Sequence, residues 1–340
     1  MMGARFGFQM KKEPPRKSRK PGDLLARHGL RRLRDGTLDF TRSVGQRLAE
    51  APGFHAVYRE ACLRYLNILD DAFCRAMRVS EFELINLLIR VRGCGSDDWD
   101  PWTSTKQNVK AVRSAIRASE GDYLTERTLQ LWLWGHIVEA SEPYEIYINL
   151  ARIISGQRYN FLCFPPVGKS RRLPTPGEKI AAIKRSAAAC GEEKLAMPLH
   201  EIWDRAFRNA IFHSEYSLHE SDIRIRRPVR VVSHEEFMIL LNRALASHDA
   251  LCVIESLYRG NFDKPRKIDV HREFAKWPGE KAWVMVREDY GVIGLCDALA
   301  DGEISEEEGK IRWMVGKFYP EENSATIGGQ RQLYFPARPA

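Results

Sequence analysis

From Phe54 to Leu257 the apolar residues of this chain return at three- and four-residue intervals, the spacing that buries one stripe of a helix. Such a pattern predicts a mainly α protein. Helix-start signals divide it into elements. Ser80 and Glu83 have capping-box spacing ahead of the apolar run Phe82 to Val91, and Thr175, Pro176 and Glu178 repeat it ahead of Ile180, Ile183 and Ala187. Ser233 and Glu236 open the longest stripe, Phe237 to Leu257. Between these, the spacing predicts helices over 106–118, 123–140 and 198–213, and one that restarts near Pro143 and stops at Gly156. Alternation of period two is confined to 222–232. There Ile223 and Ile225 alternate with Arg224 and Arg226, and a Val-rich return follows Arg227-Pro228, which reads as a small β-hairpin.

Four regions follow from these signals. Residues 1–36 form a basic tail expected to be disordered, 37–120 an N-terminal helical domain, 121–259 an antiparallel bundle of five helices with the hairpin, and 260–340 a mixed α/β extension. In the extension a strand is expected at 282–286, a helix at 304–319 and a loose end from 325. The connector 157–174 is long for a bundle, so it is expected to be mobile or to touch a ligand. Residues 1–36 hold eleven Lys or Arg against three acids, so the tail alone accounts for the formal charge of +8. Its attraction is to polyanions such as nucleic acid, although a plain solubilising role fits the same composition.

Composition excludes several classes. No segment reads as a membrane span or as a secretory signal, and a cytoplasmic protein with no membrane partner is expected. The seven cysteines are scattered, with no pair at metal-ligand spacing, and read as reduced thiols. No phosphate-binding glycine loop or dinucleotide fingerprint is present, so no cofactor and no metal are expected.

The most chemically suggestive stretch is PLHEIWDRAFRNAIFH, residues 198–213, in which Asp204, Arg208, Asn209 and His213 stand against an apolar face. Spacing alone is weak, because Arg followed by His five positions later recurs at Arg243/His248 and Arg266/His271. Context separates the first pair. RNAIFH is followed by SEYSL, a basic extended segment and a long helix, and is preceded by HIVEASEPYEIYINLARII at 136–154. Over roughly 121–259 this arrangement resembles the HEPN superfamily of helical domains, many of which are metal-independent ribonucleases.

The resemblance implies a site made of Arg208, Asn209 and His213. It also implies a homodimer through the focal helix, with RNA as substrate and a growth-arrest toxin or anti-phage effector as the setting, with a neutralising antitoxin or defence partner possible. The residue types suit that chemistry. Histidine, as at 213, is the side-chain type suited to moving a proton, Arg208 carries a permanent fork matched to phosphate, and Asn209 can orient either. Glu139 lies in the resembling segment and is a further catalytic candidate, and Arg224, Arg226, Arg227 and Arg230 are candidates for gripping RNA. A plainer reading pairs Asp204 with Arg208, four residues on, as a surface ion pair, and treats the hairpin arginines as a solvated face. On that reading the domain is a non-catalytic nucleic-acid-binding or interaction module.

Overall fold

The computed structural model describes residues 56–90, 101–160, 162–169, 171–262, 264–272, 275, 277–287, 291–297, 324–327 and 331–334. The described residues are mainly helical, with a small antiparallel β part. The helices are α1 (Ala56–Val79), α2 (Glu81–Arg90), α3 (Pro101–Ala118), α4 (Tyr123–Glu139), α5 (Ser141–Ile154), α6 (Pro176–Ala189), α7 (Met197–Glu201), α8 (Arg205–Phe212) and α9 (His234–Gly260). A three-stranded antiparallel sheet of β1 (Tyr216–Leu218), β2 (Asp222–Ile225) and β3 (Arg230–Ser233) lies between α8 and α9 in sequence. A second sheet orders β4 (Arg266–Asp269), β5 (Lys281–Arg287) and β6 (Gly291–Asp297), and β7 (Ser324–Ile327) pairs with β8 (Arg331–Tyr334).

Helix α9 is the axis. Ser233 caps it by accepting the Glu236 N–H, and its apolar side chains face several directions, so neighbours must cover it on more than one side. Packed on it are α1 along most of its length, then α4, α7, β3 and β6. By length and composition α9 also passes for a membrane span, contrary to the sequence expectation, but 61% of its most apolar window is buried inside the protein.

One apolar core runs from Tyr58 in α1 to Leu295 in β6. Buried side chains on both sides of 120/121 and 259/260 belong to it. The stripe of α1, including Tyr65, Leu66, Leu69 and Phe73, needs a complementary face, and α9 and α5 supply it. Polar ties fix the register. Tyr58 donates to Asp249 at 2.5 Å, Arg113 grips the same carboxylate at 2.7 and 3.0 Å, and Tyr258 donates to Asp70 at 2.7 Å. Burial pushes the Asp249 carboxyl up, but the His248 hydrogen bond and the Arg113 charge outweigh it and bring it down to about 2. At the other end β6 leans on α2 and α9. Gly291, at φ +86°, sits so close that a Cβ would fall 2.2 Å from the Arg259 carbonyl oxygen.

Several local expectations shift. α3 starts at Pro101 and not at 106, since proline suits a first helical turn, and Trp102 beside it is buried. Ser80 accepts the Glu83 N–H at 3.2 Å, while the Glu83 carboxylate accepts the Tyr159 N–H at 2.7 Å. The connector is thereby pinned at its start, and Asn149 holds it twice more, donating to Asn160 O at 3.0 Å and accepting from Asn160 N at 2.8 Å. The hairpin gains a third strand because Tyr216–Leu218 pairs with β2, and the expected loose end contains β7 and β8. The basic tail and the helix expected at 304–319 lie outside the described residues.

Candidate functional site

The predicted helix over 198–213 is two helices. α7 ends at Glu201 with Ile202 as its C-cap, and Asp204 takes an extended conformation and caps α8, its Oδ1 accepting the Phe207 N–H at 2.9 Å. A short acidic side chain satisfies that free donor better than another helical turn does, and this breaks the run. The second carboxylate oxygen of Asp204 accepts from Arg230 at 2.5 Å. Asp204 is thus committed to the cap and to β3, and the plain Asp204–Arg208 ion pair does not form.

Arg208 instead turns to α4. Its Nε donates to Glu139 Oε1 at 2.6 Å, and its Nη1 donates to Asn209 Oδ1 at 3.2 Å. Side chains of the Arg208–Glu139 pair are 25% and 31% exposed, so solvent reaches it. The guanidinium lies 5.0 Å from the centroid of the Phe212 ring. Phe212 in turn sits over Gly135 of α4, where a Cβ would come within 3.0 Å of the ring. Beneath, Phe207 is buried between Trp134 and Phe237 at centroid distances of 5.1 and 5.6 Å, which fixes α8 on α4 and α9.

His213 is the C-cap of α8 and is exposed, and its imidazole has no hydrogen bond or ion pair among the described residues. The chain then reverses tightly. Ser214 adopts φ +55°, its N–H donating to Ile211 O at 3.2 Å, and Glu215 N–H donates to Ala210 O at 2.8 Å. These two bonds form the motif that usually carries glycine at the left-handed position. Its product is a helix end that presents His213 outward and sends Glu215 into the sheet.

The structure gathers Glu139, Arg208 and Asn209 into one hydrogen-bonded group, with His213 at the end of the same helix. It sorts the four hairpin arginines. Arg224 pairs with Asp222 at 2.9 Å, and Arg230 bridges Asp204 and Glu236, both at 2.5 Å. Arg226 and Arg227 are exposed at the turn and have no side-chain partner among the described residues. The backbone N–H of Arg226 donates to Glu215 O at 2.9 Å, which puts that turn beside the chain just past His213. The other two Arg/His spacings serve elsewhere. His248 is buried against Asp249 in the core, and Arg266 pairs with Glu81.

Phe212, beside Arg208, and Trp132, on α4, are exposed rings that sequence reasoning passed over. They are 45% and 64% exposed. No phase could single out Trp132, because the apolar residues of α4 keep to no one face. Among the described residues, no three His, Cys, Asp or Glu side chains converge as a metal ion would require. No protein-family model, curated protein or solved structure matches the chain.

Proposed function

We propose that the site is that of a metal-independent endoribonuclease of the HEPN type. The observation that carries the reading is the Glu139–Arg208–Asn209 group that joins α4 to α8, with the His213 imidazole exposed at the C-cap of α8. RNA supplies its own nucleophile, so the protein needs to move a proton and stabilise charge. His213 takes the 2′-hydroxyl proton as the 2′-oxygen bonds to phosphorus and the bond from phosphorus to the 5′-oxygen breaks, and water returns a proton to the leaving oxygen. Arg208 keeps Nη2 free among the described residues to donate to a phosphate oxygen. Glu139 holds the guanidinium plane and Asn209 steadies it, which is the pre-organisation that makes such a charge useful.

The reading includes a homodimer through α8. Five residues advance about 140° beyond a full turn, so Arg208 and His213 diverge on one helix and two copies face each other to complete the cleft. A chain that sediments as a monomer at assay concentrations removes this part. A role in growth arrest, held in check by a neutralising partner, extends the same reading. Its test is arrest on expression that His213→Ala relieves.

The different-class alternative is a non-catalytic nucleic-acid-binding module. It is favoured by the same ion pair, since Arg208 bound to Glu139 is also how a purely structural arginine is used. Purified protein, Arg208→Ala and His213→Ala incubated with total RNA in chelator separate the two. Cleavage by the parent alone, leaving cyclic phosphate ends, is the expected result, and intact RNA in every lane points to the binder.

A further inference from the structure

The connector between α5 and α6 carries a small hairpin that the candidate site does not use. Val167 N–H donates to Arg172 O at 2.8 Å and Arg171 N–H to Gly168 O at 3.1 Å, which closes the chain tightly over 167–172. Its root is pinned. The Arg172 guanidinium donates twice to the Glu178 carboxylate, at 2.7 Å each, and that carboxylate also accepts the Thr175 N–H at the start of α6. The tip is open: Lys169 and Arg171 are exposed, and neither side chain has an ion pair or hydrogen bond among the described residues. Arg171 adopts φ +50°, a left-handed conformation that strains an arginine and not a glycine. The hairpin also stands beside the candidate site. Gly177, in the first turn of α6, packs so closely on Trp203 that a Cβ would fall 3.2 Å from the indole Nε1, and Trp203 adjoins Asp204, the N-cap of α8. Lys179 donates to Ser141 Oγ at 3.0 Å, just past Glu139 and the end of α4. The root of the hairpin is thus fixed to the chain on either side of the Glu139–Arg208 pair.

We propose that Lys169 and Arg171 grip the phosphate backbone of RNA a few nucleotides from the bond that is cut, so that the site favours long RNA over short. This rests on the ribonuclease reading and adds a remote contact to it. Charge complementarity selects the occupant, since two unpaired cations at the edge of an RNA-cleaving site meet a chain that is negative at every phosphate. Arg172, the third cation of the hairpin, is taken by Glu178 and serves as the pin. The backbone at Arg171 points the same way. A glycine there would relieve the strain, and strain held in place by its surroundings gathers at positions that clamp ligands. Extended chain rises about 3.3 Å per residue, so a tip no more than three residues from its root reaches on the order of 10 Å outward. That distance suits a phosphate outside the cleavage step. Contact there carries no sequence information, but it supplies binding energy from a part of the substrate that does not react, to be used at the part that does.

The test separates substrate length from chemistry. Full-length parent, the double variant Lys169→Gln/Arg171→Gln and the single variant Arg171→Gly are assayed for kcat/KM on a dinucleotide and on a long unstructured RNA, across a range of salt. Expected for the double variant is a loss of about tenfold on the long RNA, no change on the dinucleotide, and a log–log salt slope shallower by about 1.4, two contacts at roughly 0.7 each. Arg171→Gly should melt at a higher temperature than the parent and still lose several-fold on the long RNA alone. An arginine that only shapes the hairpin predicts otherwise, since relieved strain with an intact turn leaves activity unchanged. The basic N-terminal tail is present in all three proteins, so the difference belongs to the hairpin.

Equal loss on the dinucleotide, an unchanged salt slope, or parental activity of Arg171→Gly on the long RNA overturns the proposal. So does a change of sedimentation in the double variant, which assigns the hairpin to a protein contact. Binding of a long 2′-O-methyl oligonucleotide, which cannot be cut, is read by fluorescence anisotropy alongside. Binding that weakens in the double variant, with no cleavage of natural RNA by any of the proteins, sinks the ribonuclease reading and leaves the hairpin contact in place. Cleavage of long RNA by the parent that neither variant alters does the reverse.

Discussion

Arg208 donates its Nε–H to Glu139 Oε1 at 2.6 Å, joining the last residue of α4 to the middle of α8 across 69 positions of sequence. That single contact gives the guanidinium a fixed plane. It also leaves stability and function separable at this position, because an ion pair open to solvent contributes little to folding.

Arg208→Ala is therefore expected to lower stability by about 1 kcal/mol or less, while removing cleavage by roughly a hundredfold or more. Urea melts beside the RNA assay check this. A collapse of the fold in step with activity would instead make Arg208 a structural residue.

Gly135→Ala tests the seat of Phe212. Alanine is preferred over glycine in a helix interior by about 1 kcal/mol, but its methyl carbon meets the ring at 3.0 Å. Phe212 is 45% exposed and can swing outward, so the fold should keep its stability within about 1 kcal/mol. Cleavage should fall, since the ring and the guanidinium over it move together. Combining Gly135→Ala with Phe212→Ala should cost no more than Phe212→Ala alone.

Asp204 has two jobs that substitutions can separate. Asp204→Ala removes the cap of α8 and the partner of Arg230, and is expected to cost about 1–2 kcal/mol. Asp204→Asn keeps an oxygen for the Phe207 N–H and should lose less than half of that. Thermal melts of both variants decide it, and equal losses would mean the ion pair with Arg230, not the cap, holds the helix start.

Glu145 predicts a pH dependence of stability. Burial and the neighbouring Glu142 charge raise its carboxyl to about 7, with Lys179 opposing them. The folded state therefore holds this proton more tightly than the unfolded chain, whose value is near 4.5. Its contribution is complete below about pH 4.5 and declines as pH rises to about 7. Glu145→Gln should flatten that decline and raise stability at pH 8 by on the order of 2 kcal/mol. An unchanged slope between pH 5 and 7 in chemical denaturation would reject the assignment.

Much of the architecture was legible because it is local. The Thr175/Glu178 capping box forms as its spacing indicates, with the Thr175 N–H donating to Glu178 Oε2 at 2.7 Å, and Ser233 caps α9 as expected. Helical class, the capped starts at Ser80, Thr175 and Ser233 and the presence of Arg208, Asn209 and His213 on or at the end of one helix all depend on contacts three or four residues apart. The sequence alone determined these.

The tertiary structure decided the rest. Apolar spacing continues through 202–204, yet the helix breaks there because Asp204 is held by both the Phe207 N–H and Arg230 from β3. Four similar arginines on the sheet have different fates, two tied to carboxylates and two open at the turn, and no local pattern distinguishes them. The left-handed Ser214 lacks the glycine that usually marks such a reversal. What the stripe of α1 packs against, α9 and α5, was likewise undetermined, since a stripe shows that a face is buried but not against what. Period and caps are set by neighbours along the chain, whereas Glu139 meeting Arg208 and Phe212 meeting Gly135 required the whole core to close around α9 first.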